Sequence, residues 1–345
     1  MTTKVAFLFP GQGSQAVGMG ADVYTSSKAG RRVFEVADTV LGFALSELCF
    51  HGPEDTLRAT INAQPAILAV SLALLAAFQE ALSPQNSSWT WPLHPAFTAG
   101  HSVGECTALV AAGAMDLEQG VLMVRERGRL MHQEGTACPG GMTAILGLEV
   151  DTVEEICQQA TQQAQAELQG REQTHPGMGK VIAANFNAPG QIVISGEQHA
   201  LDIATTLASE RGAKRVLPLA VSGAFHSPAM QPAAAALTPS IVASRIHDAS
   251  IPIVGNIAAE PITSAQALRE ELAMQIATPV QWSRSIEYMV SQGVSTFIEF
   301  GPGQALTGMV KRIARDAVRI NVGNAQEVEK AAALVRDKRL VDNGS

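Results

Sequence analysis

The chain has 345 residues, 46% of them hydrophobic and 16% charged, which excludes a wholly disordered protein and allows one large domain or two ordinary ones. Its net charge of −8 argues against sequence-independent binding to nucleic acid, because that binding depends on Lys and Arg neutralising phosphates. The four cysteines form no CxxC pair, which argues against a zinc ribbon or a disulfide scaffold and is typical of reduced thiols.

The apolar segments are all short. The first, residues 5–9, is closed by Pro10 and is too short for a signal peptide. The longest, residues 66–78, has 13 residues, fewer than the ~17–25 that a membrane-spanning helix needs, and is predicted to be a buried helix. We therefore expect a cytoplasmic protein without a membrane partner.

Strand and helix patterns alternate along both ends of the chain. Strands are predicted at residues 5–9, 95–99, 251–254, 296–300 and 318–322, and helices at residues 27–40, 65–81, 105–112, 117–133, 264–275, 283–291 and 305–315. This alternation is typical of an α/β fold with a mostly parallel sheet.

The middle of the chain follows another order. Strands are predicted at residues 142–148, 180–184, 191–195 and 214–219, helices at 152–168 and 200–211, and a hairpin turn at 185–190. The order β-α-β-β-α-β is that of a ferredoxin-like unit. We therefore predict a small domain at residues 137–221, inserted into a larger domain formed by residues 1–136 and 222–345. Segments 135–141 and 221–224 are the predicted hinges, 161–180 a helix end with a solvated loop, and 83–93 a surface connection.

A G-x-S-x-G motif spans residues 100–104, between a predicted strand and a predicted helix. Strand, sharp turn and helix are the context of a nucleophile elbow, which exposes a serine hydroxyl at the carboxyl end of a sheet. The motif therefore predicts Ser102 as a nucleophile, although a Gly/Ser turn can also be purely structural.

A serine nucleophile needs a base, and His226 is the candidate. It follows the serine in the chain and lies at the junction of the predicted domains, where clefts form. His101 precedes the serine and is expected to pack under the turn. The third member of a triad stays open at this point, with Asp248 and Glu260 as candidates.

A glycine-rich loop, FPGQGSQ, occupies residues 9–15 at the end of the first strand. Gly11, Gly13 and Ala16 fit a loose dinucleotide-binding pattern, which keeps a nicotinamide enzyme as an alternative. No clean helix begins at Gly13, however, and no second strand ends in an acidic residue about 20 positions later. The favoured interpretation is a loop whose backbone N–H groups help to form an oxyanion hole.

The predicted helix 117–133 carries Arg125, Arg127 and Arg129. At 100° per residue, Arg127 lies about 70° from the centre of the apolar stripe, nearer than the other two. It is therefore the arginine expected to reach inward, where it would need a carboxylate from the protein or from a substrate. A solvated arginine is the alternative.

Together these residues resemble the malonyl-CoA:acyl-carrier-protein transacylase family over nearly the whole chain. Eight motifs in family order carry the resemblance: residues 9–15 (FPGQGSQ), 64–66 (QPA), 100–105 (GHSVGE), 127–128 (RG), 185–190 (NFNAPG), 223–227 (GAFHS), 279–282 (PVQW) and 300–303 (FGPG).

The resemblance implies an α/β-hydrolase-like large domain with a parallel sheet and an inserted ferredoxin-like domain. It implies Ser102 as nucleophile, His226 as base, and the backbone carbonyl of Gln275 in place of the triad's aspartate. It also implies that Arg127 holds the malonyl carboxylate and that the N–H groups of Gln12 and Val103 form the oxyanion hole. It further implies a preference for malonyl over methylmalonyl groups, because Phe225 occupies the position before His226 in the motif GAFHS.

The implied reaction moves a malonyl group from malonyl-CoA to the phosphopantetheine of an acyl carrier protein, without metal or cofactor, in a monomer. A proofreading thioesterase and a non-catalytic protein of this fold stay as alternatives. Fatty-acid synthesis, polyketide synthesis and malonate decarboxylation stay open as pathways. A basic patch for an acidic carrier could include residues 214–215 or 311–312.

Overall fold

The computed structural model describes residues 4–82, 93–168 and 175–337. Residues 83–92 of the predicted connection 83–93 lie outside the described residues. Residues 169–174 of the predicted helix end and loop at 161–180 also lie outside them. The strands in the described ranges are β1 (Lys4–Phe9), β2 (Phe97–Gly100), β3 (Gly140–Leu146), β4 (Val181–Ala188), β5 (Gln191–Glu197), β6 (Arg215–Pro218), β7 (Ile253–Val254), β8 (Pro261–Ile262), β9 (Val294–Phe300) and β10 (Val318–Val322).

Helices surround both sheets. They are α1 (Ala21–Ser26), α2 (Lys28–Leu41), α3 (Leu45–His51), α4 (Glu54–Arg58), α5 (Thr60–Leu82), α6 (Val103–Ala111), α7 (Leu117–Ala137), α8 (Val150–Glu167), α9 (Gln198–Glu210), α10 (Gln231–Ala243), α11 (Ala265–Gln275), α12 (Trp282–Ser291), α13 (Ala305–Ile313) and α14 (Ala325–Asp337), with a short 3-10 helix at Pro228–Met230.

The larger sheet has the strand order β10-β9-β1-β2-β7-β8. All its neighbours pair in parallel except β7 and β8. The apolar run of β1 is buried from Val5 onward, as in a parallel strand covered on both faces. Phe9 pairs with Gly100, so the loops after β1 and β2 begin side by side at the carboxyl edge of the sheet.

The smaller sheet is antiparallel, in the order β4-β5-β3-β6. Its elements follow one another as β3-α8-β4-β5-α9-β6, and a separate apolar cluster lies between this sheet and its two helices. The predicted fold class, a parallel sheet with a ferredoxin-like unit inserted, is confirmed.

Helix α5 runs through the main core. In the described part of the chain it is the one helix long and apolar enough to cross a membrane, but 89% of its apolar window is buried, as in a core helix of a soluble protein. It contains Pro65, which has no N–H for the carbonyl of Ile61. The Nη1 of Arg125 donates to that carbonyl at 2.8 Å instead.

The structure departs from the predicted elements in four places. Residues 185–190 are not a turn, because β4 continues to Ala188 and the chain turns only at 189–190. The hinge predicted at 135–141 is mostly regular structure, because α7 ends at Ala137 and β3 begins at Gly140. Helix α5 begins at Thr60 rather than at residue 65. Helix α10 was not predicted, because it contains two prolines, which usually indicate the end of a helix. One of them lies in the first turn, where a proline does not disrupt the helix.

Candidate active site

The segment after β2 makes the sharp turn expected of a nucleophile elbow. Ser102 has φ 55° and ψ −113°, a conformation that non-glycine residues rarely adopt. A Cβ on Gly100 would lie 1.9 Å from the backbone of Gly104, and a Cβ on Gly104 would lie 2.1 Å from the carbonyl oxygen of Phe9. Both motif glycines are therefore required by close backbone packing.

A buried asparagine holds this turn in place. The Oδ1 of Asn256 accepts from the N–H of Ser102 at 2.8 Å, and its Nδ2 donates to the carbonyl of Gly100 at 2.7 Å. Sequence reasoning missed Asn256, because one asparagine matches no motif. Its only signal is its place just after the predicted strand 251–254.

His226 contacts the serine directly. Its Nε2 lies 2.7 Å from Oγ of Ser102, and its Nδ1 lies 3.0 Å from the carbonyl oxygen of Gln275 and 3.2 Å from that of Thr278. Because both Nδ1 partners can only accept, Nδ1 carries the proton and Nε2 is free to accept from the serine hydroxyl. Burial, and then the charge of Arg127, lower the pKa of His226 to about 3. The imidazole is therefore neutral at physiological pH.

Neither acid considered from the sequence alone orients this histidine. Asp248 accepts from the N–H of Ala265 at the start of α11, and neither Asp248 nor Glu260 is among the hydrogen-bond partners of His226 within the described residues. Backbone carbonyls occupy the place that those carboxylates would have taken. A carbonyl dipole orients the ring without adding a second buried charge.

Arg127 is the arginine of α7 that points inward, and it is 2% exposed. Its Nη1 donates to Oε1 of Gln64 at 2.8 Å, and its Nη2 donates to Oε1 of Gln275 at 2.8 Å and to Oγ of Ser102 at 3.1 Å. None of the carboxylates that the structure describes lies within ion-pair distance of it. Burial lowers its pKa, and a buried cation without an anionic partner is suited to binding an anionic group.

The loop after β1 lies against the elbow. A Cβ on Gly11 would lie 2.6 Å from the carbonyl oxygen of His101, and the next residue, Gln12, donates through its side chain to Thr60 at 3.1 Å. Among the described residues, neither the N–H of Gln12 nor that of Val103 donates to a protein acceptor. The loop continues as turns to α1 at Ala21, which does not support the dinucleotide alternative.

Of the residues that precede Ser102 and His226 in the chain, His101 is partly buried and Phe225 is buried. The Nε2 of His101 lies 2.8 Å from Oδ1 of Asn187 on β4, and its ring packs near Trp282, with 5.6 Å between ring centroids. This contact joins the elbow to the smaller sheet. Phe225 is 4% exposed and belongs to the main apolar cluster beside His226.

Two of the surface clefts formed by the described residues include residues named in the sequence analysis. One, of about 290 Å³, lies beside Gln12 and is lined by Arg58, His132 and residues 220–222. The other, of about 480 Å³, brings Lys214, Arg215 and Arg312 together, so members of both predicted basic pairs share it. Across the described ranges, no group of three or more His, Cys, Asp or Glu side chains is placed to hold a metal ion.

Comparisons with known proteins agree with this geometry. A family profile described as acyl transferase domain matches residues 6–342. The malonyl CoA-acyl carrier protein transacylase of Bacillus subtilis strain 168 is 40% identical over 336 residues, which are 97% of this chain and 98% of that protein. The chain belongs to the malonyl-CoA:acyl-carrier-protein transacylase family.

Solved structures of that transacylase family have the same fold. An acyl-carrier-protein S-malonyltransferase from Bartonella henselae matches with a TM-score of 0.87 and 37% identity, covering 97% of this chain and 100% of that one. A malonyl-transacylase in complex with a type II PKS acyl-carrier protein matches with a TM-score of 0.84 and 36% identity, covering 96% and 100%. The family resemblance read from the sequence is confirmed.

Proposed function

We propose that this protein transfers a malonyl group from malonyl-CoA to the phosphopantetheine thiol of an acyl carrier protein, for fatty-acid or polyketide synthesis. The observation that carries the proposal is one connected set of contacts. It joins the hydroxyl of Ser102, the neutral ring of His226 and the guanidinium of Arg127, which has no ion-pair partner among the described residues. The names of the relatives, which are malonyl transacylases, support the same substrates.

The first half-reaction makes a malonyl ester. Nε2 of His226 takes the proton of Ser102 while Oγ attacks the thioester carbonyl. The N–H groups of Gln12 and Val103 donate to the oxyanion of the tetrahedral intermediate. The C–S bond then breaks, and the proton on Nε2 goes to the departing CoA sulfur.

The second half-reaction reverses these steps with another thiol. The phosphopantetheine thiol gives its proton to Nε2 and attacks the ester carbonyl, and the serine oxygen leaves and recovers the proton. The two substrates therefore bind in turn, giving ping-pong kinetics. Side chains and backbone groups supply every step, so the proposal includes no metal and no cofactor.

Arg127 selects an acyl group that carries a carboxylate. Its planar fork can form two parallel hydrogen bonds with a carboxylate, which a lysine would not do as well. The charge of Arg127 is one cause of the lowered pKa of His226. A carboxylate bound to Arg127 would offset that charge, and the pKa of His226 would rise. Binding of the correct substrate would thus activate the base.

The remaining parts of the proposal follow from packing and composition. The bulk of Phe225 beside the base favours malonyl over methylmalonyl groups, and equal transfer rates for the two thioesters would contradict this. The four buried thiols are consistent with a cytoplasmic location. We propose a monomer as the working form.

Intact-mass measurement tests the proposal. The protein is mixed with malonyl-CoA, its mass is recorded, and a phosphopantetheinylated carrier protein is then added. We expect one malonyl adduct that is absent in Ser102→Ala and that moves to the carrier. Release of CoA without an adduct would favour a thioesterase, and neither adduct nor CoA would contradict the catalytic assignment.

A further inference from the structure

The side chain of Gln275 joins the parts of the site. Its Oε1 accepts from Arg127 at 2.8 Å, and its Nε2 donates to the carbonyl of Ser102 at 3.0 Å. Its backbone carbonyl accepts from His226 at 3.0 Å. The direction of this one amide therefore affects the carboxylate-binding residue as well as the nucleophile.

Glu105 determines that direction. It lies in the first turn of α6, is fully buried, and its Oε2 accepts from Nε2 of Gln275 at 2.5 Å. If the amide were reversed, its NH2 would face the N–H groups of Arg127, and its oxygen would face two acceptors, Glu105 and the carbonyl of Ser102. Both contacts would be repulsive, so the acceptor on Glu105 selects the observed orientation.

A second carboxyl group completes the arrangement. Glu271 lies one helical turn before Gln275 on α11, and its charge is one cause of the raised pKa of Glu105. Oε1 of Glu271 accepts from the N–H of Ile257 at 2.8 Å, while Oε1 of Glu105 has no hydrogen-bond partner among the described residues. Burial, and then the charge of Glu271, raise the pKa of Glu105 well above its usual value.

The protonation of this pair matters for the nearby guanidinium. A protonated Glu105 adds no negative charge beside Arg127. Arg127, the charged group that faces Glu105 from α7, then keeps its positive charge available for a substrate. An ionised Glu105 would compete with the substrate carboxylate.

We propose that Glu105 is a positioning residue for malonyl selection: its Oε2 accepts from the amide of Gln275 and so fixes the side chain that holds Arg127 beside Ser102. This inference rests on the proposed function and deepens it. Glu105 does not touch the substrate, and it acts only through Gln275 and Arg127.

The test compares variants that separate charge from geometry. Glu105→Gln removes the ionisable group but keeps an oxygen that can accept from Gln275. Glu105→Asp keeps the carboxyl but withdraws it by one methylene from Gln275. Glu105→Leu removes the polar contact with Gln275. Thr107→Val is the matched control, because Thr107 is buried on the same helix and its hydroxyl has no partner among the described residues.

The readout is the ratio of kcat/KM for malonyl-CoA to that for acetyl-CoA, which has no carboxylate. We expect Glu105→Gln and Thr107→Val to keep the wild-type ratio within about threefold. Glu105→Asp and Glu105→Leu should lower it by ~10–100-fold, the effect of weakening one charge-assisted hydrogen bond. General damage to the fold would lower both rates and leave the ratio unchanged.

Two results would overturn the inference: a wild-type ratio in Glu105→Asp, or a ratio that falls by about tenfold or more in Glu105→Gln. If Glu105→Leu does not fold, the comparison of Gln with Asp decides. Failure of the wild-type protein to form a malonyl adduct would instead contradict the proposed function, so the two failures are distinguishable.

Discussion

Replacing Asn256 with alanine tests whether the elbow is held by the asparagine clamp. The change removes the acceptor of the Ser102 N–H and the donor to the carbonyl of Gly100, in a place where Asn256 is 1% exposed. Each buried group left without a partner costs about 1–3 kcal/mol, so the two together should cost about 2–6 kcal/mol of unfolding free energy. The strained backbone of Ser102 should also relax, and we expect serine acylation to slow by at least about tenfold.

Urea unfolding followed by tryptophan fluorescence measures the first effect, and the rate of malonyl adduct formation measures the second. Asn321→Ala is the matched control, because Asn321 also makes two side-chain hydrogen bonds, to Thr307 and Gly303, but is only partly buried. Water can replace those contacts, so its cost should stay below about 1 kcal/mol with normal acylation. The reasoning is refuted if Asn256→Ala costs no more than Asn321→Ala.

Three further predictions concern the site and the scaffold. Arg127→Lys should lower kcat/KM for malonyl-CoA by ~10–150-fold, the loss of one charge-assisted hydrogen bond, and leave acetyl-CoA unaffected; unchanged malonyl kinetics would contradict the role of the fork. Single-turnover acylation should show no titration near pH 6.5, because the pKa of His226 is lowered to about 3. As the pH falls from about 6.5 towards 3, His226 becomes protonated in the unfolded chain but not in the folded one. The free energy of unfolding should therefore fall by at most about 1.4 kcal/mol per pH unit. A pH profile of acylation with a step centred at 6.5 would contradict the lowered pKa of His226. Gly308→Ala should raise the free energy of unfolding, measured by urea titration, by about 1 kcal/mol, because Gly308 is an exposed helical residue with space for a Cβ. Gly104→Ala should instead abolish the native fold. A destabilised Gly308→Ala protein would contradict the expected gain in helix propensity.

The sequence predicts the scaffold well where hydrophobic pattern and position agree. Buried parallel strands read as apolar runs, and the small unit reads as alternating short strands and helices, so both sheets follow from local signals. The strand through residues 185–188 is different. Its asparagines suggest a turn, but Asn187 lies in β4 and contacts His101, a partner that no local pattern reveals.

The candidate site divides in the same way. Ser102 lies in a motif whose geometry is set by adjacent glycines, so its role can be inferred from residues 100–104 alone. Asn256 and Gln275 act through contacts with residues more than 150 positions away in the chain. Such contacts depend on tertiary packing, which is why residue-level reasoning left the acid partner of His226 open and found no role for Asn256.

The proline in α5 has a consequence for the precision of the site. Because Pro65 has no N–H, the carbonyl of Ile61 accepts a hydrogen bond from Arg125 instead. Gln64, in the same turn of α5, accepts one from Arg127. Gly128, on the facing helix, allows the two backbones to meet at Thr60. Sliding α7 by one turn would move it about 5.4 Å along α5 and break every one of these contacts. A residue that would be a defect in an isolated helix thus marks the single axial register in which the arginine reaches the serine.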